Sequence, residues 1–141
     1  MSQISERQEE VIDEFSMFED WMDKYEYIIS LGKELPLIEE DKKIEENIIK
    51  GCQSRVWLDA QLKEDGKLYF TADSDAIITK GIIALMIRVL SESTPKEIAE
   101  SDLYFVDQIG LKEHLSPTRS NGLVSMIKKM KLYGIAFQAK A

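Results

Sequence analysis

The spacing of apolar positions along the chain changes twice, and each change marks a different kind of element. Near the N-terminus Ile4, Val11, Ile12 and Phe15 predict a short helix. Phe18, Trp21, Met22, Tyr25, Ile28 and Ile29 predict a longer one that terminates at Gly32. The stretch LPLIEEDKKIEEN, with Pro36 and a dense run of charge, reads as an exposed connection. Beyond residue 52 the period falls to two. Val56, Leu58, Ala60 and Leu62 alternate with Arg55, Trp57, Asp59 and Gln61, Asp65-Gly66 supplies a hairpin turn, and Leu68, Phe70 and Ala72 alternate with Tyr69 and Thr71. These positions predict an antiparallel hairpin with one core-facing side. Trp57 and Tyr69 fall on its other side, where either a covering helix or an outside contact must account for them.

Helical spacing returns in DAIITKGIIALMIRVL, residues 75–90, which is apolar nearly all round and predicts a central buried helix. Asp73, Ser74 and Asp75 suit its N-cap and the positive end of its dipole, and Gly81 would let it approach the sheet closely. Two later helix starts share one grammar. Thr94-Pro95-Lys96-Glu97 has a cap, a proline at the first helical position and a capping-box glutamate, and Ser116-Pro117 repeats the cap and proline. The helix after Ser116 carries Leu123, Met126, Ile127, Met130, Tyr133 and Phe137 on one stripe. Helices, a small antiparallel sheet, then helices again make an α+β domain with the helices covering one face of the sheet.

The length of 141 residues and an apolar share of 44% fit one domain, residues 1–141, with no repeat or linker to divide it. No apolar run is long enough to span a bilayer, and MSQISERQEEVIDEF has neither the basic start nor the apolar stretch of a secretory signal. The expectation is a cytoplasmic protein. Acidic residues outnumber basic ones 26 to 18, a formal charge of −8, which disfavours nucleic acid and anionic membrane surfaces as partners. The charge is uneven: residues 1–46 hold 15 acidic against five basic side chains, whereas 111–141 hold six basic against one acidic. The two ends attract each other, dock oppositely charged surfaces, or are simply solvated helix faces.

Candidate chemistry is sparse. Cys52 is the only cysteine and His114 the only histidine, so an internal disulfide is excluded and a Cys/His nucleophilic pair is the single such combination available. One thiol and one imidazole make a poor start for a zinc or iron-sulfur site, and the seven glycines form no phosphate-binding loop. No cofactor or metal is expected. A free cysteine is commonly an inert core residue, but Cys52 follows Gly51 and precedes polar Gln53 and Ser54 at a loop-to-strand junction, where function tends to collect.

Three segments in order, GCQSRVW, ADSDAIITKGIIAL and LSPTRSNGL, resemble the signature segments of the SufE family, including its CsdE-like branch. The resemblance runs from about Phe18 to near the C-terminus, and residues 1–17 match nothing in it. It implies a SufE/NifU-like fold and a protein that stimulates a cysteine desulfurase, SufS- or CsdA-like, accepts its persulfide sulfur, and passes that sulfur to an iron-sulfur scaffold. Pyridoxal phosphate would then belong to the desulfurase, and no stand-alone catalytic site is implied in this chain. The family's acceptor cysteine matches Cys52, with Gly51, Gln53 and Ser54 as its loop; Asp75 matches a position bordering that loop, and Arg119 matches the family's arginine. Capping at a helix start is a sufficient explanation for both Asp75 and Arg119. The rival reading is a regulatory module that binds the desulfurase and keeps Cys52 structural. A homodimer is compatible with the sequence.

Sulfur transfer of this kind needs one attacking and one leaving thiolate, as in thiol-disulfide exchange, so one cysteine suffices. Several would suit a scaffold better. Running the strand period back from Val56 puts Ser54 and Cys52 on the core side. The thiol is therefore expected to be tucked inward in the free protein and drawn out when the desulfurase docks.

Overall fold

A computed structural model describes residues 3–52 and 54–140. Helix α1 spans Gln3–Ser16 and α2 spans Trp21–Gly32, so the first helix is the longer of the two rather than the shorter. Its buried stripe is Ile4, Gln8, Val11 and Phe15, spaced four, three and four apart. The polar member, Gln8, is fully paired: its amide donates to Asp102 O at 3.1 Å and accepts from Phe105 N at 3.1 Å. Phe18, the expected first residue of α2, lies before the helix, which starts after an Asp20 cap whose carboxylate accepts from Asp23 N at 3.0 Å.

Strands β1 (Val56–Leu62) and β2 (Leu68–Ser74) form a two-stranded antiparallel hairpin in which Leu58 faces Ala72 and Ala60 faces Phe70. Val56, Leu58, Ala60, Leu68, Phe70 and Ala72 are buried as their alternation predicts, whereas Leu62, at the end of its strand, is exposed. The connection 33–55 is less exposed than its charge suggests. Leu35, Ile38 and Ile49 are buried, and it contains two short 3-10 turns, Glu40–Lys42 and Glu45–Asn47. It also closes both edges of the sheet. On the β2 side Ala72 N donates to Pro36 O and Ile38 N to Ala72 O, each at 3.0 Å; on the β1 side Ile49 N donates to Val56 O at 2.9 Å. Of the other outward N–H groups of β2, Leu68 donates to Ser93 O at 2.8 Å, Phe70 to Ser91 Oγ at 3.0 Å and Ser74 to Asp73 Oδ1 at 2.8 Å.

The outer side chains Trp57 and Tyr69 are partly buried, and each has a lysine over its ring. Lys43 of the connection places its ammonium 5.4 Å from the Trp57 ring centroid and pairs with Asp73 at 2.7 Å, and Lys63 stands 4.2 Å from the Tyr69 ring centroid.

Helix α3 (Ile77–Leu90) buries eleven of its fourteen residues, which makes it the central helix. Its start differs from expectation. Strand β2 continues through Ser74, the N-cap is Ala76, and no side chain caps the helix. The close approach at Gly81 is to α2, not to the sheet: a Cβ there would lie 2.1 Å from Ile28 O, and one at Gly32 would lie 3.0 Å from Gly81 N. Helix α4 (Pro95–Glu100) has the full capping box, with Thr94 Oγ1 accepting from Glu97 N and the Glu97 carboxylate accepting from Thr94 N. Two four-residue helices, α5 (Phe105–Gln108) and α6 (Leu111–His114), were not foreseen, being too short to carry a helical period. Helix α7 (Pro117–Lys140) then packs Leu123, Met126 and Met130 into the core. Residues from α1, both strands, α3 and α7 belong to one hydrophobic cluster, so the segment before Phe18 is part of the same core. The architecture is α+β, with helices on the inner face of a small antiparallel sheet.

Candidate functional site

Cys52 sits between the sheet edge and α7. Gly51, just before it, has φ of 91°, a conformation that side chains disfavour, and a Cβ there would lie 2.5 Å from Ser125 Oγ. Both conditions call for glycine. The turn aims the cysteine at the first part of α7, where Sγ donates weakly to Gly122 O at 3.7 Å. A Cβ on Gly122 would stand 3.4 Å from that sulfur, so the absent side chain leaves the thiol its place. The thiol is half-buried and packs against the edge of the core, as the strand parity predicts. Burial pushes its pKa above the ordinary thiol value, so the resting group is held as the neutral thiol.

Beside the sulfur is a cavity of about 70 Å³. Ser54 lines it from the loop, Thr79 and Ile82 from α3, and Thr118, Arg119, Gly122 and Met126 from α7. The lining combines apolar Ile82 and Met126 with three hydroxyl-bearing residues and one arginine. Arg119 is fixed from outside: its Nη1 donates to Tyr25 Oη of α2 at 3.0 Å, while its own backbone N–H reaches Ser116 Oγ at 3.4 Å in the cap of α7. Capping therefore involves the Arg119 backbone, and its side chain does something else.

Asp75 is placed at the base of the loop and does not cap α3. Its Oδ1 accepts from Arg55 N at 3.1 Å and its N–H donates to Arg55 O at 3.3 Å, a carbonyl that also receives Ser74 Oγ at 2.9 Å. These bonds pin the entry to β1. Gln53 lies outside the described residues. His114 is not brought to the thiol; it stacks on Trp21 with ring centroids 4.4 Å apart, and its Nδ1 is 2.9 Å from Gly110 O. Among the described residues no group of three or more His, Cys, Asp or Glu is placed to hold a metal ion, and no helix is long and apolar enough to cross a membrane.

Sequence reasoning missed Thr79, Ile82, Thr118, Gly122, Met126 and Tyr25. A signal existed for part of this set. Thr118, Gly122 and Met126 recur every four residues, so the stripe that faces Cys52 follows from the helix itself once one member is known. The Tyr25 contact joins residues 94 apart in sequence and had no local sign.

Residues 9–133 match the family profile SufE, described as Fe-S metabolism associated domain. An uncharacterized SufE-like protein of Rhizobium etli is 41% identical over 127 residues, which cover 87% of this chain and 86% of that protein. A second uncharacterized SufE-like protein, from Rhizobium meliloti, is also 41% identical over 127 residues, covering 87% and 91%. A solution structure of a hypothetical protein from Thermus thermophilus superposes with a TM-score of 0.76 over 92% of this chain and 94% of that one, and at 17% identity the likeness is one of fold. The profile begins inside α1 and ends inside α7, so it takes in the loop, the cavity walls and the sheet together. The chain belongs to the SufE family, whose domain is associated with iron-sulfur metabolism.

Proposed function

We propose that this protein is a persulfide acceptor and carrier: it stimulates a cysteine desulfurase, takes sulfane sulfur from it on Cys52, and relays that sulfur to an iron-sulfur scaffold in the cytoplasm. The observation that carries this reading is the cavity beside Sγ. At about 70 Å³ it exceeds the roughly 10–15 Å³ that a water-sized group needs on the same measure, so one more sulfur atom fits next to Cys52. A purely structural cysteine would need no such space.

The chemistry balances with one thiol on each side. The Cys52 thiolate attacks the outer sulfur of a persulfide on the desulfurase, the S–S bond of that donor breaks, and the donor cysteine leaves as a thiolate. A new S–S bond has formed on Cys52, and no external oxidant or reductant is required. Pyridoxal phosphate is needed only in the desulfurase, where the sulfur is first removed from L-cysteine. A persulfide is more acidic than a thiol and carries negative charge, and Arg119, which lines the cavity, would supply the cation that balances it. Ser54, Thr79 and Thr118 offer hydroxyl donors at the same wall. Because the resting thiol is neutral, transfer requires docking to expose or deprotonate it, and stray oxidants meet the less reactive form.

The test is mass spectrometry of the protein after incubation with a SufS-type desulfurase and L-cysteine. One added sulfur is expected on Cys52 and none on Cys52→Ser, with stimulation of desulfurase turnover lost in that variant. Full stimulation by Cys52→Ser, with no sulfur on the wild-type cysteine, would make the protein a regulatory module instead.

A further inference from the structure

Helix α7 carries a second apolar stripe that the core does not use. Val124, Lys128, Leu132 and Ile135 follow one another at intervals of four, four and three, so they share one outward face. The three apolar members are 37%, 58% and 55% exposed. Along this face runs a groove of about 280 Å³, walled on one side by Ile48, Ile49 and Lys50 and on the other by Lys128, Lys129 and Leu132. Its floor includes Ser125, the residue that Gly51 packs against, so it begins at the cysteine loop, one helical turn from Gly122. From Val124 to Ile135 the stripe extends roughly 16 Å.

Its charge is opposite to that of the molecule. The chain carries −8 overall, yet three lysines meet here, and Lys131 lies next to Leu132 in sequence. Their neutralisation is slight. Lys50 reaches Glu45 at 3.9 Å, with both side chains about four-fifths exposed, a pair of negligible strength in water. Lys129 lies 5.3 Å from the Tyr133 ring centroid, and Glu45 and Glu46 share an adjoining recess with Lys50 and Lys129. Among the described residues Lys128 has no acidic partner.

We propose that this groove is the docking track for an acidic, apolar-anchored segment of the protein that delivers sulfur to Cys52. The inference rests on the persulfide-acceptor reading. Charge complementarity selects the occupant: an acidic partner is repelled by most of this surface and attracted along this face, which orients it so that its approach ends at the cysteine loop. Exposed Val124, Leu132 and Ile135 supply the apolar contact that lysines alone would not.

The test uses the full chain with a SufS-type desulfurase and L-cysteine, following sulfur loading of Cys52 as a function of acceptor concentration. Lys128→Glu should raise the half-saturating concentration several-fold at low ionic strength, and Lys128→Glu/Lys129→Glu at least tenfold, with the saturating rate lowered far less. Wild-type affinity should weaken with added salt, and that salt dependence should flatten in the double variant. Leu132→Ser should weaken half-saturation without changing the salt slope, which separates the apolar anchor from the charge. The rate at which iodoacetamide alkylates Cys52 in each isolated variant reports whether the fold around the loop is intact. Unchanged half-saturation in the double variant would overturn the groove while leaving sulfur acceptance standing. So would a wild-type dimer that the same charge reversal dissociates in sedimentation, because the occupant would then be a second copy. If wild-type Cys52 takes no sulfur, the acceptor reading and the groove fall together.

Discussion

Cys52 differs from an ordinary surface thiol in one measurable respect, its proton affinity. Burial raises the pKa, so at neutral pH the thiolate fraction is smaller than for a free cysteine. Alkylation by iodoacetamide, which follows the thiolate, should be slower than for a model thiol at pH 7 and should climb with pH through a midpoint above the usual cysteine range. A midpoint at or below that range would mean that the thiol is solvated and that the Gly122 wall does not shield it. Tyr25→Phe gives a second handle at the same scale. It removes the hydroxyl that holds Arg119, so it should slow sulfur loading by several-fold with half-saturation unchanged, and combining it with Arg119→Ala should add little. Additive losses would show that the two residues act independently. The sequence made the cysteine, its glycine and its inward direction legible, because a two-residue period propagates through the loop. It hid the other half of the site, because the facing wall comes from helices whose contacts with the loop are set by tertiary packing.

Among elements, the contact between α2 and α3 decides how the cavity is held, because α2 supplies Tyr25 and α3 supplies Thr79 and Ile82. The two helices touch through backbone at Gly81, where a methyl group would meet Ile28 O at 2.1 Å. Gly81→Ala should therefore destabilise the protein by at least about 2 kcal/mol, measured by urea unfolding, even though alanine is the better helix former. A neutral or stabilised variant would mean that the helices separate without cost. The sequence showed that Gly81 permits a close approach but pointed to the sheet as the partner, where the structure has Ile28 of α2. A buried helix that is apolar all round gives no clue to which neighbour lies on which side. The reverse held for α4, where Thr94 and Glu97 satisfy each other within one turn and the local sequence was sufficient. The capping box of α4 is readable because it closes over three residues, whereas the cap expected for α3 gave way to a strand that runs on through Ser74, and helix crossings leave no local sign.

At the scale of the whole molecule, three helices meet at one buried-edge ion pair. The Arg88 guanidinium of α3 binds Glu14 of α1 through both carboxylate oxygens, and the Tyr27 hydroxyl of α2 donates to the same carboxylate. Arg88 holds the Glu14 carboxyl below its usual pKa. A depressed folded-state value means that the unfolded chain binds the proton first as acid is added, so this stabilisation is complete above the unfolded glutamate pKa and is lost as pH falls through the folded one. Glu14→Gln should cost about 2 kcal/mol at pH 7 by urea unfolding, and the gap to wild type should shrink on acidification through that window. A gap that persists unchanged in acid would assign the loss to packing rather than to charge. Nothing in the local pattern of α1 announced this joint, whose partners lie 13 and 74 residues away.

The edge bond from Ile49 N to Val56 O, together with the clamp on Arg55, also fixes how far the sulfur can travel. Cys52 stands three residues along the chain from each of these anchored points, Ile49 and Arg55. At roughly 3.4 Å per extended residue the tether allows its Cα a radius of about 10 Å and no more. That is less than the thickness of one helix layer, so the loop works as a short leash and not as a swinging arm. If Cys52 carries sulfur as proposed, it does not move it between distant stations on this protein; each donor and each recipient must bring its own reactive group to the same rim.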